Sequence, residues 1–532
     1  MKQGVNFNDT FAPVAKAATL RAALALAAKY RCLLYSGDVE TAFLTANMDC
    51  LVHVKMPPFW GDEQGPISLT DSQRQTRVLL KGVPGIPQGS RLFYQTFADH
   101  LLSMNFLPSA ADCCLFVNPK MQERNAVVLW VDDFIFLCET EKTKDEFIRQ
   151  IRSKFVVHSF QALHAFLGMT ITRDIDAKVV QLSQTNTVSV LLERANMETC
   201  NPASTPVVTG ATFSKKDCPP DASQNELTHQ YRSLIALLNF IACWTRPDIT
   251  FVVNKLCKFM SNPGEVHWKQ LKHLIRFMAG TKDWCLTFSM AGDEAKGLAL
   301  KGYSDSSFGD CPDTGRSTIA YVFMFHGAPL SWYSKLNGFV TLNTNHSEYA
   351  ALAAAAREAE WLLLLLRDLD KDSALAPVPI SVDNSGVVSL VFNPVDHQTN
   401  KHVKLSCHYA RELTEAKVIL PKKVASEDNL ADLFTKPLPL PAFRQLAGQL
   451  LSPPLTSERA LVLHSRNCYD SEDTDSDSDA NRYYRQVREF NDIDLTIEYS
   501  SYAGIDPGCV LWYQMKPTWF WGTPSFEGGC WF

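Results

Sequence analysis

The sequence predicts a mixed α/β (α+β) protein made of two sheet-and-helix modules joined by a connecting region. Three observations carry this reading. Apolar runs of strand length, rich in β-branched and aromatic residues, alternate with alanine- and leucine-rich stretches of helix length. Short buried-looking runs end on carboxylates twice, once around residues 38–133 and again from residue 298 onward. A chain of 532 residues is also too long for one core, so roughly three or four domains are expected.

Composition sets limits. The chain is 46% hydrophobic and 20% charged, with net charge −6, so it is globular and not strongly basic. Contacts with nucleic acid would need a local basic groove. Six acidic residues fall between Asp470 and Asp479; without them the net charge is zero. Fifteen cysteines lack any zinc-ligand spacing, and Cys113-Cys114 is the one tight pair. No secretory leader pattern is read at the start, so free thiols in a reducing compartment are expected. The apolar run Trp361–Leu366 is too short to span a bilayer and reads as part of a core helix.

Taken in order, Ala17–Tyr30 reads as a buried helix with Arg21 as the one charge in its middle. Cys32–Asp38 is a short strand closing on Asp38, followed by a second helix. Asp38 suits either a helix N-cap or a metal ligand. Leu51–Lys55 alternates like a strand before two prolines. Residues 78–94 form a Gly/Pro-rich loop that opens a helix. Gln88 and Arg91 at its mouth, with Arg21, are candidate contacts for a nucleotide or template backbone.

Val127–Leu137 is the most informative stretch. Asp132 and Asp133 interrupt two apolar runs, giving a β-hairpin with carboxylates at its tip. Adjacent charges are costly to bury unpaired, and a divalent metal would relieve that cost. Two-metal phosphoryl-transfer sites need carboxylates held this way. On this stretch alone, an ordinary Asp-containing turn fits equally well.

From Leu298 the pattern repeats with new acids. One strand closes on Asp305, Glu348 lies in the first turn of a long helix, another strand closes on Asp383, and Asp432 lies on a last helical turn. Singly, each has an ordinary explanation: Glu348 favours a helix N-terminus, Asp383 precedes Asn384 in a turn, and Asp432 sits in a solvated acidic run. Four carboxylates meeting at one sheet edge would repel without metal, which makes them a ligand set. His402 and His408 read as surface histidines. The run from Ser471 reads as a disordered, phosphorylatable linker, and the aromatic segment Val510–Phe532 matches no element of these modules.

These motifs together resemble a known family. Phe11-Ala-Pro-Val, Asp38-Val-Glu-Thr-Ala-Phe, Gly85-Ile-Pro-Gln with Arg91 and Tyr94, Val131-Asp-Asp, Phe166-Leu-Gly-Met and Cys200–Pro206 follow the order seen in copia-type (Ty1/copia) LTR retrotransposon Pol polyproteins. The segments around Asp305, Glu348, Asp383 and Asp432 resemble the same family's ribonuclease H. The resemblance covers roughly residues 7–440 and implies a right-hand polymerase palm with truncated fingers, a thumb/connection, and a ribonuclease H-like mixed sheet. The implied limits are 1–160, 161–295, 296–440 and a variable tail at 441–532.

The implied function is RNA-directed DNA synthesis with ribonuclease H activity on RNA/DNA hybrids. Asp38, Asp132 and Asp133 would hold two Mg2+ (or Mn2+) ions in the palm, and Asp305, Glu348, Asp383 and Asp432 two more. Implied partners are an RNA template, a DNA primer, the RNA/DNA hybrid and dNTPs. The implied setting is a cytoplasmic particle or the nucleus, not secretion and not a membrane. Two residues depart from the family pattern: Trp130 stands for its tyrosine, and Pro87 for a lysine. With the short fingers, they support the alternative of a retroelement remnant without polymerase activity, at most ribonuclease H-active or nucleic-acid binding.

Overall fold

The computed structural model describes residues 9–55, 76–120, 123–220, 227–290, 300–370, 372, 376–392 and 405–455. His402, the acidic run and the aromatic C-terminal segment lie outside them.

Among the described residues, three sheets of four or more strands follow one another. The first is antiparallel, with six strands in the order Leu107–Pro108, Leu115–Val117, Asn125–Trp130, Asp133–Cys138, Leu33–Val39 and Val157–Ala162. Its two central hairpin strands are almost wholly buried, as their unbroken apolar runs require. Aromatic rings fill the layer against helices Gly89–Ser103 and Glu141–Arg152. Phe136 stacks on Phe147 at 3.8 Å, and Phe97 tilts against Phe134 at 5.6 Å. Gly37 is register partner of Phe134, and a side chain there would collide with that ring. The missing Cβ is therefore what lets phenylalanine cover the strand that ends in Asp38.

The second sheet has four strands, ordered Leu286–Ser289, Val179–Ser183, Met169–Asp174 and Ala165–Phe166. Helices Thr185–Arg194, Leu227–Trp244, Thr250–Cys257 and Glu265–Gly280 belong to this region. The third sheet is mixed. Ala328–Leu336, Thr318–Phe325 and Leu300–Ser307 pair antiparallel, then Val378–Val382 and Ile419–Lys423 add parallel strands. The 26-residue helix Thr344–Leu369 packs on it. It repeats the glycine device, with Gly302 beneath Phe323.

The first sheet's last strand ends at Ala162, the second sheet's strands run from Ala165 to Ser289, and the third sheet begins at Leu300. Residue 441, expected to open a variable tail, lies inside a helix. Helix Leu440–Leu450 buries Phe443, Leu446 and Leu450 on one face, which is amphipathic spacing. Beyond it Ser452 bridges Cys285, and Gln181 bonds both Pro453 O (3.1 Å) and Leu455 N (2.8 Å). Residues 452–455 thus extend the edge of the second sheet, while the helix packs against Leu430–Phe434 and Ala328–Leu336. The helix expected after Asp38 is only Ala42–Thr45.

Helix Ala17–Tyr30 forms as expected, and eleven of its fourteen residues are buried. It is apolar all round because it touches all three sheets, at Asn125–Trp130, Val179–Ser183, Leu286–Ser289 and Ala328–Leu336. Arg21, expected to contact substrate, is instead 4% exposed at this junction. Its guanidinium donates to Leu330 O (2.7 Å), Cys243 O (3.0 Å) and Trp244 O (3.1 Å) and lies over the Trp332 ring. Burial lowers its pKa to about 9. The physical reason for the correction is enclosure: its donors are spent on carbonyls of two other regions. Trp130 is similarly enclosed, edge-on to Trp244 at 5.5 Å.

Arg21→Met should destabilise the protein by about 2–4 kcal/mol, because three buried carbonyls lose a donor. Urea unfolding checks this; a loss below about 0.5 kcal/mol would mean that the carbonyls find other partners.

Candidate active sites

Four acids come together at one edge of the mixed sheet. Asp305 lies near the end of its central strand, Leu300–Ser307. Asp383 follows the adjacent parallel strand Val378–Val382. Glu348 is the fifth residue of helix Thr344–Leu369, one residue further in than its sequence position suggested. Asn343 caps that helix, its side chain accepting from His346 N at 2.8 Å. Asp432 lies on the short turn Leu430–Phe434, anchored where Asn429 Nδ2 donates to Ser304 O at 3.1 Å.

Carboxylate oxygens of Asp305, Glu348 and Asp383 all lie within 4.8 Å of one another. Asp305 and Glu348 are only 1% and 4% exposed. Thr435 Oγ1 donates to Asp305 Oδ2, and Ser426 Oγ to Asp383 Oδ2 at 3.1 Å. Lys436 Nζ pairs with Asp432 at 2.9 Å and reaches Asp305 at 3.7 Å. Burial, with the neighbouring acids, raises Asp305 to about 7 and Glu348 to about 9. Burial also raises Asp432, against the pull of Lys436. Glu348 Oε2 and Asp432 Oδ1 are buried without a hydrogen-bond partner among the described residues. Buried acceptors without donors, in a converging acid set, are the chemistry that a divalent cation satisfies. The residues therefore fit a metal centre.

Thr435, Lys436 and Ser426 were not singled out from the sequence. The usable signal was adjacency: Lys436 stands four residues after Asp432, the spacing of a helical ion pair. His408 is exposed, as expected.

The second constellation is the hairpin of the first sheet. Trp130 pairs with Asp133 across a two-residue loop, Val131-Asp132. Val131 has φ 53°, a left-handed conformation rare for a β-branched residue and the kind of strain that marks functional turns. Asp38 is register partner of Asp133, and Val39 N donates to Asp132 O at 3.1 Å. All three aspartates are half-buried at one strand end. They are more open than the other set: they do not form one of the groups closing within 4.8 Å among the described residues.

Two expected substrate contacts are placed differently. Gln88 is fully buried, its Nε2 against Cys50 Sγ at 3.5 Å, so it presents nothing to a ligand. Arg91 pairs with Asp49 and donates to Asp9 O at 2.9 Å, which ties the start of the described chain to this loop. Asp112 with Cys113 and Cys114 also makes a close group. The Asp112 carboxylate already accepts from Lys16 N, Thr19 Oγ1 and Cys114 N, so it reads as a turn anchor.

Known proteins resemble this chain over most of its length. Residues 1–209 match the family model "Reverse transcriptase (RNA-dependent DNA polymerase)". The Retrovirus-related Pol polyprotein from transposon TNT 1-94 of Nicotiana tabacum is 28% identical over 84% of this chain and 33% of its own length. That from transposon RE2 of Arabidopsis thaliana is 30% identical over 84% of this chain and 30% of its own. Homologues among copia-type transposon Pol polyproteins thus cover most of the chain. It spans about a third of the length of these relatives. Among solved structures, ribonuclease H1 of Halobacterium salinarum matches 26% of this chain and 93% of its own at 19% identity; the TM-score of 0.20 adds nothing to the topology above. No helix among the described residues is long and apolar enough to cross a membrane.

The raised acids give a pH signature. A carboxyl whose folded pKa exceeds its unfolded value stabilises the fold below the unfolded value, and loses that contribution as pH rises through the folded one. For Asp305 and Glu348 the window runs from 3.8 and 4.5 up to about 7 and about 9. In chelator, the melting temperature should therefore fall between about pH 5 and about pH 9, and Mg2+ should restore it most at the alkaline end. A chelated protein equally stable at both ends would contradict the electrostatics of this site.

Proposed function

We propose that this chain hydrolyses the RNA strand of RNA/DNA hybrids at Asp305, Glu348, Asp383 and Asp432, and that it extends a DNA primer on an RNA template at Asp38, Asp132 and Asp133. The observation that carries the reading is the closure of three carboxylates, from two strand ends and a helix, to within 4.8 Å. Mg2+ (or Mn2+), two ions per site, would supply an activated water or hydroxyl and neutralise charge on the phosphoryl group. The side chains do the rest. Asp305 and Glu348 lie in a dry pocket where their charge is strongly felt. Thr435 and Ser426 fix the orientations of Asp305 and Asp383. In the palm, the strained Val131 turn holds Asp132 and Asp133 beside Asp38.

The partners that follow are an RNA template, a DNA primer, their hybrid and dNTPs, in a cytoplasmic particle or the nucleus. A second reading, hybrid hydrolysis without DNA synthesis, is supported by the internal engagement of Gln88 and Arg91.

With Mg2+ and a labelled RNA/DNA hybrid, Asp305→Asn should cut the rate by about a hundredfold or more. Asp132→Asn should abolish primer extension on RNA. Hydrolysis unchanged in Asp305→Asn would remove the first assignment. No extension from a folded parent chain would leave the hydrolysis-only reading.

A further inference from the structure

Lys436 stands where a cation would. Its Nζ lies 2.9 Å from Asp432 Oδ2 and 3.7 Å from Asp305 Oδ2. The side chain is 39% exposed, whereas those of Asp432 and Asp305 are 9% and 2% exposed. The ammonium thus enters from the solvent edge and ends between two buried acids. Its stem is a flexible four-carbon chain, so the head can withdraw into water without unfolding its neighbours. Thr435, the preceding residue, is held by Asp305, which fixes the backbone from which that stem swings.

We propose that Lys436 is the resident counter-ion of this site, which a divalent cation must displace, and that it thereby sets the site's metal affinity. The inference rests on the metal-centre reading of the same carboxylates. One monovalent head serves part of a four-acid set. It pairs with Asp432 Oδ2 and leaves Asp432 Oδ1 and Glu348 Oε2 without hydrogen-bond partners among the described residues. A divalent ion can satisfy the remaining oxygens, but it meets repulsion from the ammonium on the shared acids. Binding of the ion and withdrawal of Lys436 are then one exchange. Removing the ammonium weakens the metal-free arrangement and favours the loaded one.

Calorimetric titration with Mn2+ of the full chain tests this, with Asp132→Asn in every sample to silence the palm. Lys436→Met keeps the length of the stem and removes its charge. The account expects its Kd for Mn2+ to fall by about threefold or more, its chelated form to melt lower, and Lys436→Arg, which keeps the charge, to show no such fall. Lys436→Gln replaces the methionine variant if that fails to fold. An unchanged or raised Kd, in a parent whose binding needs Asp305, would overturn the role of Lys436 and leave the metal centre standing. Binding that survives Asp305→Asn, or no binding in the parent, would remove the metal centre and the exchange together.

Discussion

The arrangement of the molecule depends on one buried helix and the cation at its centre. Ala17–Tyr30 could not be apolar all round in a small domain, because one face would meet water. Here every face meets a different part of the chain. Alanine at most of its buried positions keeps the surrounding layers close, and Arg21 occupies the place where three backbone carbonyls converge. A buried guanidinium is tolerable only because its donors are used and its face lies on Trp332. The first and third sheets are thus held in one frame by a residue that belongs to neither cluster of acids.

Both sites follow the same local plan. An internal strand carries the first acid, a glycine one residue earlier (Gly37) or three residues earlier (Gly302) admits a phenylalanine ring over the strand, and neighbouring elements supply the other acids. The two differ in how tightly the acids close. At Asp305 burial and mutual repulsion oppose charge, and Lys436, Thr435 and Ser426 hold the set together. At Asp38 the tension lies in the backbone, at Val131, and the carboxylates stay more exposed to water. Charge density is managed by desolvation and a counter-ion in one case, and by a strained turn in the other.

The elements were largely legible from composition and run length. The helix at 17–30 is a long alanine- and leucine-rich stretch, and the hairpin at 125–138 is two short β-branched and aromatic runs around a polar break. The acids stood out because most lie at or near the ends of such elements. What the sequence hid depends on distant partners. Nothing near residue 21 tells that its guanidinium meets carbonyls of residues 243, 244 and 330. The burial of Gln88 follows from packing around its loop, and a polar residue before a helix gives no hint of it. Residues 441–455 looked like the start of a tail because the family pattern ends there, although Phe443, Leu446 and Leu450 already carry helical spacing. Lys436 was in plain view four residues after Asp432, but its meaning required Asp305, brought in from another strand.

The central claim is that Asp305, Glu348 and Asp383 form a metal-binding set. Anomalous diffraction from crystals grown with Mn2+ tests it most directly. The account predicts manganese peaks within bonding distance, about 2.0–2.3 Å, of oxygens from these three residues, with Lys436 swung away from Asp305. Carboxylates unmoved, with Lys436 still bridging Asp432 and Asp305 and manganese bound only elsewhere, would contradict it.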